Sequence, residues 1–491
     1  MRLSNSTLGQ LPKDVTRPGY DRGAVASGIV HLGVGAFQRA HQAMYTEAAL
    51  AAGDTRWGTV GASLRSPTVR DQMKPQDGLY TLAVRGAQGE ALQVIGNIKD
   101  VLVAPESPEA LLAALTHPDV KIVTLTVTEK GYCYDPATAA LDESHPDIVH
   151  DLGDPARPRS APGFLVEALR RRREAGVHPF TVLCCDNLPH NGRTVGNIVS
   201  RFAALRDPML GHFIRNEINF PSTMVDRITP ATTDDDRASI SARLGLEDAA
   251  PVVTEPFSQW VIEDRFAGGI RPDWSIAGAE FVSDVAPYEN MKLRLLNGSH
   301  STLAYLGYLA GYETVADTMK DANYRRLVDG LMDDAATTLK MPPGADVPAY
   351  KRSLLERFEN PALKHRTWQI CMDGSQKLPQ RLLGTIRDRL AAGATIERLV
   401  MGVAGWMRYV TGIDEKGQAI DVRDPLSARL RGIADAAGLN AERLAPALLD
   451  VREIFSAELT ADPRFRTAVT NALTRIIANG AKAAVAETVA N

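Results

Sequence analysis

The segment Met291-Lys-Leu-Arg-Leu-Leu-Asn-Gly-Ser-His300 sets a lysine, an asparagine and a histidine along one otherwise largely apolar run. At about 100° per residue of an α-helix, His300 falls about 80° from Lys292 and about 60° from Asn297, so the three share a face. A lysine partly withdrawn from water beside a histidine has its pKa lowered toward neutrality and takes a proton from an alcohol. An asparagine amide donates to the oxygen that gains charge as a hydride leaves or arrives. The same pattern also suits a lysine snorkelling from a buried helix with an asparagine satisfying backbone. A Schiff-base lyase would need the same low lysine pKa, so this helix alone leaves the chemistry open.

A second stretch narrows the choice. Ile29-Val-His-Leu-Gly33-Val-Gly35-Ala36-Phe37-Gln38-Arg39 runs from an apolar strand through two glycines into a helix. Gly33 permits a sharp turn and Gly35 a close approach of pyrophosphate to backbone, where Ala36 and Phe37 open the helix and offer free N–H groups. The third glycine of the usual fingerprint is replaced by Gln38. Arg39 is within reach of phosphate, and its alternative is an exposed helical arginine. The end of the second strand, Ser63-Leu-Arg65-Ser-Pro67, carries no acid to grip ribose hydroxyls. A serine with Arg65 there suits a 2'-phosphate, which leaves NAD against NADP open, and Asp71 is too far along to substitute.

The elements that must position these residues follow from periodicity. In the first half, strands at 29–32, 57–62, 122–127 and 180–185 alternate with helical patterns, one at 36–52, which implies a parallel, doubly wound sheet. The Pro, Asp, Ser and His-rich stretch from 135 to 163 reads as a long surface loop. Beyond about Pro287 only helical periods follow, at 291–310, 324–340, 349–358, 380–392, 396–410, 425–437 and 465–486. The expected architecture is an α/β fold: an N-terminal Rossmann-type domain over 1–286, then a mostly α-helical substrate domain over 287–491, with the site in the cleft between them.

Bulk composition excludes other classes. A chain of 491 residues with 44% hydrophobic residues and a net charge of -4 has ample core and no basic excess for nucleic acid. The run Arg170 to Arg173 reads as a solvated helix end that complements the dipole. Four cysteines give neither a zinc spacing nor a disulfide framework, so a metal-free protein of the reducing cytoplasm is expected. The sequence shows no signal peptide and no membrane span, and it suggests a monomer or weak homo-oligomer.

Several motifs in one order then resemble the polyol-specific long-chain dehydrogenases, the mannitol dehydrogenase family. They are Gly33-Val-Gly-Ala-Phe-Gln-Arg-Ala-His41, Thr128-Glu-Lys-Gly-Tyr132, Cys185-Asp-Asn-Leu-Pro-His-Asn-Gly192, Phe220-Pro-Ser-Thr-Met-Val-Asp-Arg-Ile-Thr-Pro230, Glu255-Pro-Phe257 and 292–300. The resemblance covers nearly the whole chain. It implies metal-independent hydride transfer with NAD, Lys292 as general acid/base, and Asn297 with Asn187, rather than Asn191, around the oxyanion. It also sets Thr128 and Glu129 beside the cofactor, has Asp226 and His300 bind substrate hydroxyls or tune the lysine, and gives Glu289 a part in proton passage. Asp226 paired with Arg227 and a surface Glu289 are the plainer readings. Within the family, 126–133, 297–308 and 365–381 look most like the fructuronate reductases, whose substrate carries a carboxylate. Arg366 and Lys377 are the cations expected to hold that group. A neutral-polyol dehydrogenase and a dinucleotide-sensing protein without chemistry are the alternatives.

Overall fold

The computed structural model describes residues 1–135, 138 and 140–490, with the side chain of Glu129 outside the described ones. Two compact units divide the chain, Met1–Ala286 and Pro287–Asn491. In the first unit the strands run β1 (Ile29–Leu32), β2 (Thr59–Ser63), β3 (Tyr80–Gly86), β4 (Gly89–Ile95), β5 (Ile98–Val103), β6 (Ile122–Leu125), β7 (Tyr134–Asp135), β8 (Ala140–Leu141), β9 (Thr181–Cys184), β10 (Thr223–Asp226), β11 (Val252–Thr254), β12 (Gln259–Glu263) and β13 (Glu280–Val282).

Five of these form the central parallel sheet in the order β5-β2-β1-β6-β9, which is the doubly wound arrangement. Its strands are short apolar runs because helices cover both faces, and every residue of β1, β6 and β9 is buried. The order reverses between β1 and β6, so the loops after these two strands diverge at the point where open α/β sheets bind ligands. An antiparallel hairpin, β3–β4, joined in parallel by β11, and a separate sheet, β10-β12-β13, complete the unit.

Three expectations change. The helix expected over 36–52 is two, Ala36–Ala40 and Gln42–Ala51, broken at His41 (φ −116, ψ −86). The His41 ring stacks on Phe37 at 5.1 Å and its Nε2 meets Gln259 O at 2.9 Å, so tertiary contacts outweigh helix propagation there. The stretch read as a loop over 135–163 contains the helix Pro146–Gly153 and the start of Ala161–Glu174, each opened by a side chain, His145 or Ser160, that accepts a backbone N–H. In the arginine run, Arg172 is 1% exposed and donates to the carbonyls of Leu115, His117, Val120 and His178. Its neighbours Arg170 and Arg171 pair with Glu167. Arg172 is therefore a clamp on the 115–120 turn, while Arg170, Arg171 and exposed Arg173 keep the helix end partly solvated as expected.

The second unit is helical, with no strand among its described residues beyond isolated bridges. Its central helix runs Ala286–Met291, then a π-helical turn Lys292–Asn297, then Gly298–Leu309. A second π-turn, Pro379–Leu383, leads into Gly384–Ala391. A Cβ on Gly298 would stand 2.8 Å from Arg381 O, so glycine lets the two irregular turns pack backbone to backbone. No helix among the described residues is long and apolar enough to cross a membrane.

Candidate active site

In the first unit the glycine loop is built from below by a buried imidazole. His31 on β1 is fully buried, with Nδ1 2.7 Å from Thr124 Oγ1 and Nε2 2.8 Å from Thr126 Oγ1. Thr126 Oγ1 in turn donates to Gly33 O at 2.9 Å, which fixes the end of β1. Burial lowers the His31 pKa to about 3, so the ring is neutral and serves as a strut. Gly33 has φ +92, and a Cβ there would lie 2.2 Å from Thr126 O, so the fold itself demands glycine. Gly35 differs. A Cβ at Gly35 would meet nothing nearer than Gly33 O at 3.7 Å, so no protein atom excludes a side chain, and the open backbone suits a close-lying ligand.

Around this loop Ala36 and Phe37 open the helix, with N–H groups of the first turn that have no intrahelical acceptor. Arg39, expected to reach phosphate with an exposed helical arginine as the alternative, is instead turned into the protein. It is 7% exposed, with Nη1 on Ala250 O at 2.5 Å and Nε on Gly35 O at 3.2 Å, so it ties the loop to the β11 segment. Arg65 is exposed just past β2, where Ser63 Oγ accepts the amides of residues 65 and 66. Thr128 follows β6 with φ +62, a strained value for a β-branched residue. It is held by Asp186, whose carboxylate accepts the amides of Val127 (2.9 Å) and Thr128 (3.2 Å) and the Tyr132 hydroxyl (2.7 Å). The backbone of Glu129 begins the next turn, and its side chain lies outside the described ones.

Asp186 is a residue that motif reading passed over in favour of its neighbour. The two candidate asparagines separate clearly. Asn191 is buried, donates from Nδ2 to the carbonyls of Cys184, Asp186 and Thr223, and accepts Thr223 N on Oδ1. That amide is consumed by the fold, whereas Asn187 is exposed beyond the end of β9. Asp226 is 3% exposed at the end of β10, and the adjacent Arg227 donates instead to the carbonyls of Ala40 and Glu255.

The second unit brings its candidates onto the π-turn. Lys292 begins it at 8% exposed, half-buried Asn297 ends it, and His300 follows in the next turn. The wider i→i+5 turn replaces the ideal 100° wheel, so the angles computed for a regular helix do not hold between 292 and 297. Half-buried Glu289 stands on the preceding helix.

His300 is stacked on Phe358 at 5.4 Å and meets His365 edge-on at 4.7 Å. His300 Nε2 and His365 Nδ1 are buried without a hydrogen-bond partner among the described residues. Burial, then the charges of His365, Arg381, Arg357 and Lys377, push the His300 pKa well below its usual range. Burial lowers that of His365 to about 4. Sequence reasoning missed His365, Arg357 and Arg381, which lie 57 to 81 residues beyond His300 and read singly as surface cations.

Of the two expected carboxylate holders, Arg366 is exposed and faces Glu313 at 3.9 Å. Lys377 donates to Met372 O at 2.5 Å and Ile370 O at 3.4 Å, closing the end of the helix Thr367–Cys371 while its charge acts on His300.

The depressed His365 pKa has a pH consequence. The native state keeps the ring neutral while the unfolded chain protonates near 6.5, so stability is level above about pH 6.5. It falls by up to about 3 kcal/mol as pH drops toward 4. Thermal melts at pH 7 and pH 4.5 should show His365→Gln losing less Tm on acidification than the parent protein. Equal losses would rule the linkage out.

Among the described residues, Cys133, His145 and Asp147 form one group with metal-ligand atoms close together. The thiol is pushed up to about 12 by burial and nearby Asp147 and Asp151, so it stands protonated. All four cysteines are free and buried.

Comparison with known proteins accounts for both units. Residues 27–276 match the mannitol dehydrogenase Rossmann domain and residues 284–477 the mannitol dehydrogenase C-terminal domain. The chain is 49% identical to a D-mannonate oxidoreductase of Escherichia coli (strain K12), over 96% of this chain and 98% of the relative. An uncharacterized oxidoreductase of the same strain is also 49% identical, over 97% and 98%. The solved ternary complex of Pseudomonas fluorescens mannitol 2-dehydrogenase with NAD and D-mannitol superimposes with a TM-score of 0.90 at 39% identity, covering 100% of both chains. The chain belongs to the mannitol dehydrogenase family of oxidoreductases, which act on CH–OH groups.

Proposed function

We propose that this chain interconverts D-mannonate and D-fructuronate with NAD. The observation that carries the reading is the Lys292–Asn297 π-turn, which holds a buried lysine and a half-buried amide, with His300, whose buried Nε2 has no hydrogen-bond partner among the described residues, in the helical turn that follows. Pairing of a relative named for D-mannonate at 49% identity with a solved relative holding NAD supports substrate and cofactor.

In this reading the backbone at Gly33, Gly35, Ala36 and Phe37 cradles pyrophosphate, with Thr128 and Glu129 beside it and Arg65 at the adenosine ribose. Bound nicotinamide supplies the hydride acceptor in oxidation and the donor in reduction. Lys292 takes the hydroxyl proton in oxidation and returns it in reduction, with Glu289 passing protons onward. Asn297 and Asn187 donate amide N–H groups to the carbonyl oxygen as it gains negative charge. Asp226, His300 and Lys377 bind the remaining substrate groups. The proton transfer asks for no metal ion.

A spectrophotometric panel tests this by crossing NADH and NADPH with fructuronate, tagaturonate and fructose, and NAD with D-mannonate and D-mannitol. The expected result is fastest turnover with NADH and fructuronate. NADPH is included because Arg65 would meet a 2'-phosphate. Preference for fructose and D-mannitol would replace the reading by a neutral-polyol dehydrogenase, the activity named for the Pseudomonas fluorescens relative.

A further inference from the structure

We infer that Arg381 is the specificity-determining residue that receives the carboxylate of a sugar-acid substrate, held by Ser301 beside His300. The inference rests on the sugar-acid reading above. Arg381 sits in the π-turn Pro379–Leu383, whose backbone is pressed against Gly298 at the end of the Lys292 π-turn. Its Nη1 donates to Ser301 Oγ at 3.0 Å, and Ser301 is next to His300 and 1% exposed. Among the described residues no carboxylate pairs with this guanidinium.

Burial lowers the Arg381 pKa to about 10, with Tyr305 as the opposing influence. Arg381 is half-buried, and a cation in that setting whose partner is a neutral hydroxyl gains when an anion arrives. The planar fork matches a carboxylate bidentately, which a lysine ammonium does not. Arg381 also acts electrostatically on His300, so the two lie within one field. The buried His300 Nε2 and His365 Nδ1, which lack a hydrogen-bond partner among the described residues, supply an independent sign of a ligand, since a substrate hydroxyl can satisfy them. One end of the group thus suits hydroxyls and the other an acid. Arg366, picked from sequence, has a carboxylate, Glu313, facing it and lacks this shortfall.

The test compares steady-state kinetics of the parent, Arg381→Met and Arg381→Lys on D-mannonate and D-mannitol with NAD. Arg381→Met is expected to raise KM for D-mannonate by about 100-fold or more while kcat changes far less. The ratio of kcat/KM for D-mannonate over D-mannitol should fall by a similar factor. Arg381→Lys should recover part of that ratio, because charge returns without the fork. A D-mannonate KM within threefold of the parent in Arg381→Met overturns the inference while leaving the sugar-acid reading intact. A parent enzyme that favours D-mannitol overturns both. Should Arg381→Met fail to fold by circular dichroism, Arg381→Gln retains a hydrogen bond to Ser301 and reads the same ratio.

Discussion

Lys292→Ala lowers kcat for D-mannonate oxidation at saturating substrates by about 10³-fold, while NADH still binds with near-parental affinity. The size follows from the usual 10²- to 10⁴-fold contribution of a positioned acid/base. Lys292 is only 8% exposed, so the methyl group left behind gives bulk water little chance to take over the proton. Asn297 and His300 remain on the same helix, and the glycine loop lies in the other unit, which is why the loss falls on kcat rather than on cofactor affinity. Lys292→Arg does not restore the rate, because a guanidinium stays protonated near neutral pH. Absorbance at the nicotinamide band gives kcat, and quenching of protein fluorescence gives NADH affinity. A variant within tenfold of the parent turnover would remove Lys292 from the chemistry.

The two loop glycines are expected to fail in different ways. Gly33→Ala forces a side chain onto φ +92 and a Cβ to 2.2 Å from Thr126 O. The left-handed conformation alone costs about 1–2 kcal/mol, and displacement of the β6 end adds a similar amount, so Tm drops by several degrees with or without ligand. Gly35→Ala meets no protein atom nearer than 3.7 Å, so its Tm is expected to hold within about 2 °C of the parent. Its methyl instead occupies the space assigned to pyrophosphate. Overpacking there by about 1–3 kcal/mol weakens NADH binding about 5- to 150-fold. Thermal melts and NADH titrations of both variants decide the matter. Unchanged NADH affinity in Gly35→Ala would remove the cofactor from this loop.

What could be read from sequence was whatever has a local signature. Ile29–Leu32 and Ile122–Leu125 are short, largely apolar runs bounded by polar or glycine residues, and Thr181–Cys184 lies within the apolar stretch 180–185, so the parallel sheet and its glycine turn were visible. The strand Ile98–Val103 was not, because Lys99 and Asp100 interrupt its apolar pattern near the start. The β3–β4 hairpin lies outside strand–helix alternation and broke the expected rhythm. Asp186 was passed over because its task, accepting three hydrogen bonds from a loop some 55 residues earlier, leaves no trace in local composition.

The π-turn was equally hidden. Lys-Leu-Arg-Leu-Leu-Asn is ordinary helical sequence, and the segment its π-turn packs against lies more than 80 residues away. Arg381 and Arg172 show the same limit: an arginine in a helical pattern looks solvated until the carbonyls or hydroxyl that receive it are in place.

The i→i+5 turn carries a demand on chain length. Such a turn holds one residue more than a regular helix would use for the same rise, so the segment 286–309 is sensitive to indels in a way its composition does not disclose. Loss of a single residue between 293 and 296 would let the helix anneal into α form, leaving Lys292 and His300 near their present angular relation but removing the wide turn that seats against Pro379–Leu383. Conservative swaps there should be tolerated far better than shortening, which unseats the two irregular turns from each other.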